Sequence, residues 1–275
     1  GDLIANGGET LEIFVSAKNY GSEDATNVIG YMSSTSGNVS IDTTANMVEF
    51  GDIASGETSN GSVPFVVVLN DGLHDGADLD LLVTFLDSDG GSFDGILDIS
   101  VHGNQLSAID VDVLGSASDV LTPGESSFVK IELNNTGSTH AVSVSGTITC
   151  ASPFIEILDD NGTWVSINSG ESSFNGNDYF ELSALDVTIP GAIAHLIVSL
   201  ETEEGYTSNS IIEVQIGEPT VNDPVGPDSY GYYIYDNEDI NYVLAPTYNW
   251  VEIDAREGGP GTHLNSLTDS GNNQD

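Results

Sequence analysis

The residues of this chain whose spacing could do chemistry are carboxylates gathered on glycine-flanked loops. Asp75, Asp78 and Asp80 fall together, and Asp87, Asp89 and Asp94 bracket Gly90-Gly91. Asp159-Asp160-Asn161 and Asp236-Asn237-Glu238-Asp239 are two further clusters. Calcium takes about six to eight oxygen ligands, and Asp/Asn loops supply them. Asp87-Ser88-Asp89-Gly90 has the opening of a calcium loop, but the later Asp/Asn positions and the Glu at position twelve are missing. Asp-Gly and Asn-Gly pairs also supply the positive φ of tight hairpin turns. The turn is the simpler reading; calcium held by Asp75, Asp78, Asp80, Asp87, Asp89 and Asp94 is the alternative. Calcium is the one cofactor the sequence suggests.

Aromatic residues form a second group. Tyr232, Tyr233, Tyr235, Tyr248 and Trp250 crowd one short stretch. Flat aromatic faces suit sugar rings, so Tyr232, Tyr233, Tyr235 and Trp250 are candidate ligand-binding residues. The alternation of Tyr233 and Tyr235 suits cross-strand packing equally, and packing is the favoured reading.

No catalytic constellation emerges. Cys150 lies in a strand pattern, with no neighbouring base to activate it, and reads as a buried, inert thiol. The five histidines stand singly, without the short spacing of zinc ligands. With 44 Asp+Glu, carboxylate pairs of the glycosidase type arise by chance.

Composition narrows the partners. The chain of 275 residues has 3 Lys+Arg against 44 Asp+Glu, a formal charge of −41. Nucleic-acid backbones and anionic membrane surfaces are gripped by Lys and Arg, which this chain lacks. No apolar run approaches the roughly 18 residues of a membrane helix. The acids are spread along the whole chain rather than gathered in a tail. A whole surface of one sign suits screened, salty or calcium-rich water, or equally a solubility device for a secreted surface. A single cysteine permits no internal disulfide. The start at Gly1-Asp2-Leu3-Ile4 reads as part of something longer.

The elements that must position these residues come in two copies. Gly8-Glu9, then Leu11, Ile13 and Val15, then Asn19-Tyr20-Gly21 recur as Gly124-Glu125, Val129 and Ile131, and Asn135-Thr136-Gly137, 116 residues later. Val28-Ile29-Gly30 recurs as Val144-Ser145-Gly146. Ile53 to Thr58 recurs as Ile167 to Ser172, and Phe85 to Gly90 as Leu200 to Gly205. Leu97, Ile99 and Val101 alternate, as do Ile212, Val214 and Ile216; period two with one apolar face marks half-buried strands. Turn residues recur every 8–12 positions or so. The fold class expected is all-β: two tandem immunoglobulin-like β-sandwiches of about seven strands each, over 1–103 and 104–217. A Pro-rich linker over 218–229 follows. A partial third β segment over 230–275 opens with strands up to about residue 254 and ends in a polar tail.

The two-copy pattern, with its Gly-Glu…Asn-x-Gly opening, resembles the immunoglobulin-like modules of large secreted bacterial proteins. In particular it looks like those that follow the catalytic domain in gingipain-like cysteine peptidases. Asp223 to Tyr233 and Ala245 to Asp254 resemble the junction into a further β domain of such proteins. The resemblance implies a non-catalytic spacer or interaction segment, extracellular or at the cell surface. Its implied partners are other domains of the same polypeptide, and cell-surface protein or polysaccharide. The alternatives are an accessory region of such a peptidase, whose catalytic domain lies outside this chain, and a carbohydrate-binding or surface-assembly module.

Overall fold

A computed structural model describes residues 4–236, 238–242 and 244–247. Among them there is no helix, and so none that could cross a membrane. The first half holds β1 (Ala5–Asn6), β2 (Thr10–Ile13), β3 (Ser16–Lys18), β4 (Ala25–Ser34), β5 (Val39–Ile41) and β6 (Met47–Ile53). It continues with β7 (Thr58–Asn60), β8 (Phe65–Leu69), β9 (Leu81–Leu86), β10 (Ser92–Leu97) and β11 (Val101–His102). The second half holds β12 (Leu106–Val113), β13 (Val120–Leu121), β14 (Ser126–Asn135), β15 (Ala141–Cys150) and β16 (Ile155–Asp159). It ends with β17 (Asn161–Ile167), β18 (Ser172–Phe174), β19 (Phe180–Ala184), β20 (Ala192–Glu201) and β21 (Thr207–Ile216).

Alternation sets which face is buried. Along β20 every second residue, Ala192 to Leu200, is buried, and the residues between are exposed or half-buried. In the second half one sheet runs β12-β14-β19-β16 and the other β13-β21-β20-β15-β17. Their apolar faces share one core, with Val129, Ile131, Leu133, Phe180 and Leu182 from the first sheet and Trp164, Ile148, Leu196, Val198 and Ile216 from the second. In the first half β10-β9-β4-β6 supplies Val28, Phe50 and Val83, and β2-β8-β5 supplies Phe65, Val67 and Leu69, to a separate core. Two sheets sharing one core is a sandwich-like arrangement, because a lone sheet would leave an apolar face in water. The two cores meet the chain between Val101 and Leu106.

The halves repeat each other in detail. The short parallel pair β1–β11 joins Ala5 to Val101, and β13–β21 joins Leu121 to Ile216. Asn27 in β4 and Ser143 in β15 both carry positive φ, 48° and 49°; the register with β6 shifts beside Asn27, whereas that of β15 with β17 runs unshifted past Ser143. Gly30 and Gly146 lie where a Cβ would come 2.9 Å from Phe50 and 2.8 Å from Trp164, respectively. Each glycine leaves the space that a core aromatic fills.

Three expectations change. Leu97, Ile99 and Val101 do not belong to one strand: β10 stops at Leu97, whereas β21 runs unbroken to Ile216. The reason lies in the partner. β20 has ten residues and pairs with all of β21, but β9 has six, because residues 77–80 ahead of it turn at Asp80, where φ is 45°. Bulges and breaks of this kind also give more, shorter strands than seven per half. Beyond Ile216 the expected strands reduce, among the described residues, to one bridge between Val225 and Ile234. Trp250, Tyr248 and the tail lie outside the described residues.

Candidate functional site

The acidic loops form turns. Between β9 and β10, Asp87 N–H donates to Gly91 O (3.1 Å), and Gly90 has φ 88°. Asp87 Oδ1 accepts from Asp89 N (3.0 Å) and Gly91 N (2.7 Å). In the second half Thr202 takes the same place. Its N–H donates to Tyr206 O (2.9 Å), its Oγ1 accepts from Tyr206 N (3.2 Å), and Gly205 has φ 83°. A hydroxyl doing the work of the Asp87 carboxylate identifies that work as closing a hairpin turn. Asp94 Oδ1 accepts from Thr84 Oγ1 across the β9–β10 ladder (2.7 Å). Asp78 Oδ1 accepts from Asp80 N (3.0 Å), and Asp80 Oδ2 accepts from Thr35 (3.1 Å). Among the described residues no three His, Cys, Asp or Glu side chains gather as a metal-binding group.

Asp75 has a different place, on the seam between the two cores. Its Oδ1 accepts from Gly103 N (3.1 Å) and from the Ser138 hydroxyl of the second half. Burial pushes its carboxyl up. The hydrogen bonds from Ser138 and Gly103, helped by His102, outweigh burial and hold it below the ordinary carboxylate value. Around it the backbones nearly touch. A Cβ on Gly72 would come 2.2 Å from Gly205 O, and one on Gly137 would come 2.4 Å from Gly103 O. Thr139 N donates to Gly103 O (3.2 Å), and Thr136 N to Gln105 O (2.9 Å). Only glycine permits such approach.

One constellation has a role that spacing alone does not reveal. Asn19 and Asn135 each organise a corner with the same set of bonds. Asn19 Nδ2 donates to Glu23 O (2.8 Å) and Ile53 O (2.9 Å), and its Oδ1 accepts from Gly21 N (2.8 Å). Its backbone N–H donates to Glu57 O (3.0 Å), and its O accepts from Gly56 N (2.9 Å). Asn135 Nδ2 donates to Thr139 O (2.8 Å) and Ile167 O (3.1 Å), and its Oδ1 accepts from Gly137 N (3.0 Å). Its N–H and O pair with Glu171 O (3.0 Å) and Gly170 N (2.7 Å). The repeated Asn-x-Gly triplet is the sequence signal for this corner.

The tyrosines are only partly a surface. Val225 and Ile234 exchange two backbone bonds (3.0 and 2.8 Å), and Asp228 Oδ1 caps the turn at Tyr230 and Tyr232 N–H (2.9 Å each). Tyr232 is exposed; Tyr233 and Tyr235 are half-buried, with ring centroids 6.5 Å apart and tilted by 54°. Burial, and then Tyr235, push the Tyr233 hydroxyl up. Tyr242 donates to Asp223 (2.5 Å), which pushes the phenol up to about 12 and holds the Asp223 carboxyl down. Cys150, at the end of β15, is half-buried rather than fully buried.

No family model matches the sequence, and no curated protein is significantly similar to it. Among solved structures, the chain is similar to a red sea bream transglutaminase at 12% identity and a TM-score of 0.35, over 79% of this chain and 30% of that one. It is also similar to a protein of unknown function from Porphyromonas gingivalis W83, at 11% identity and a TM-score of 0.24, over 78% of this chain and 94% of that one. The chain thus spans less than a third of the transglutaminase's length. At these scores neither likeness carries an argument about fold or activity.

Proposed function

We propose that this chain is a pair of immunoglobulin-like modules acting as a non-catalytic spacer and interaction segment of a large secreted or cell-surface protein. Supporting this reading is the bond-for-bond repetition of the Asn19 and Asn135 corners, which marks one module used twice. The seam of glycine contacts and the Asp75–Ser138 bond suit a fixed joint between modules. A fixed joint is what a spacer needs, since it sets the distance and direction between whatever flanks it. The −41 charge keeps such a surface soluble and offers few sites to proteases that cut after Lys or Arg. A gingipain-like peptidase is one parent that such a segment would serve.

Amide ¹⁵N relaxation on the whole chain tests the joint. One rotational diffusion tensor fitting residues 5–102 and 106–216 together is expected. Two independently tumbling units would overturn the spacer reading.

A further inference from the structure

A pocket of about 280 Å³ lies in the seam between the two cores. It is lined by Gly7 and Leu73 of the first half, His102 and Asn104 of the connecting chain, and His140 and Glu204 of the second half. Sites for drug-sized ligands run to about 300–1,000 Å³, so this one suits a compact molecule.

Asn104 is the anchor of the pocket. It is 2% exposed. Both halves hold it: its backbone O accepts from Asp75 N (3.2 Å), and its Oδ1 accepts from Thr139 Oγ1 (3.2 Å). Nδ2, the donor end of the amide, has no hydrogen-bond partner among the described residues, yet it is not sealed inside protein. It therefore opens onto the pocket that Asn104 lines. Folded proteins rarely leave a polar group of a buried side chain without a partner, so this donor calls for an acceptor from outside the chain.

Its neighbours are uncommitted too. Of the four described histidines, His74 Nδ1 pairs with Asp75 O (2.8 Å) and His195 with Glu213 (3.1 Å). The two whose rings make no hydrogen bond among the described residues are His102 and His140, and both line the pocket. The Glu204 carboxylate is likewise unbonded, whereas Asp75, Asp78, Asp80, Asp87 and Asp94 are all engaged in turns, a ladder contact or the seam. One pocket thus gathers an amide donor, two imidazoles and a carboxylate that the fold does not use.

This set fits a zwitterion. A carboxylate takes several N–H donors at once through charge-assisted bonds. An ammonium is matched by Glu204. A plain anion would be opposed by the −41 charge of the chain. A plain cation would leave Asn104 Nδ2 without an acceptor. We propose that the seam pocket binds a free α-amino acid, its carboxylate held by Asn104 Nδ2 and the rings of His102 and His140, its ammonium by Glu204. The inference goes beyond the spacer reading and does not need it: a rigid seam without binding overturns this inference alone.

The test titrates the ¹⁵N-labelled whole chain with glycine and L-alanine, and with acetate and methylammonium, each of which carries one charged end only. Glycine and L-alanine should give saturable millimolar shifts at the Asn104 side-chain amide and at the His102 and His140 rings, with His195 unmoved. Acetate and methylammonium should bind at least about tenfold more weakly, having lost one charge-assisted contact. His140→Ala and Glu204→Gln change exposed side chains, so the fold is kept, and each should weaken glycine binding by about tenfold. Asn104→Asp faces the ligand carboxylate with a like charge and should abolish binding; if that variant does not fold, the two exposed variants decide. No saturable shift at millimolar glycine overturns the proposal. So does binding undiminished by His140→Ala and Glu204→Gln, an equal affinity for acetate, or a response that leaves the Asn104 amide unmoved.

Discussion

Replacing Asn135 by alanine should destabilise the second half far more than replacing Asn19 destabilises the first. The two side chains share three bonds; Asn135 accepts a fourth, from Gln105 N, and is more deeply buried. Asn135 is fully buried, and its bonds to Ile167 O and Gly137 N are shielded from water. Those to Thr139 O and Gln105 N are partly shielded. Stranding a buried donor or acceptor costs about 1–3 kcal/mol, and a partly wet one about 0.5–1 kcal/mol. Two of each give about 3–8 kcal/mol for Asn135→Ala. Asn19 is half-buried, and its bonds to Glu23 O and Gly21 N are open to solvent. Water replaces those, leaving chiefly the partly shielded Ile53 bond, so Asn19→Ala should cost about 0.5–1 kcal/mol. Urea titrations read each half separately by NMR. The buried Trp164 indole N–H, which donates to Ile131 O, reports the second half, and the methyl of the buried Met32 reports the first. Equal costs for the two substitutions, or less than about 1 kcal/mol for Asn135→Ala, would refute the reasoning that burial sets the value of these bonds.

Four further outcomes follow from the same structure. Gly146→Ala puts a Cβ 2.8 Å from the Trp164 ring and should cost about 1–3 kcal/mol in urea melts. Gly176→Ala, with nothing within 4 Å, should be neutral or slightly stabilising. Asp75 has its carboxyl lowered on folding, so its contribution is complete above the ordinary carboxylate range and is lost as pH falls through its lower folded value. The stability gap between wild type and Asp75→Asn, which keeps the shape and removes the charge, should therefore be constant near neutral pH and close in acid; a gap independent of pH would count against the charged seam bond. Because Asp87, Asp89 and Asp94 serve turns and a ladder contact, EGTA should leave the melting midpoint unchanged, whereas a lower midpoint would restore calcium as a structural ligand.

What the sequence revealed depended on whether a feature is local. Alternation at Val129, Ile131 and Leu133 announces a strand because burial follows period two. The Asp87–Gly91 and Thr202–Tyr206 turns are legible because a tight turn needs its own residue types. The duplication is legible because Asn-x-Gly must recur wherever the corner recurs. Asn27 and Ser143 share a positive φ but not a residue type, so this backbone feature leaves no common letter. Asp75 reads as one member of an acidic cluster, yet its partner Ser138 lies 63 residues away across the seam.

Backbone amide exchange across the whole chain tests most directly the claim that one module occurs twice. Asn19 and Asn135, Gly56 and Gly170, and Glu57 and Glu171 bond equivalently, so each pair should be protected together. Unequal protection of the corner pairs would contradict it.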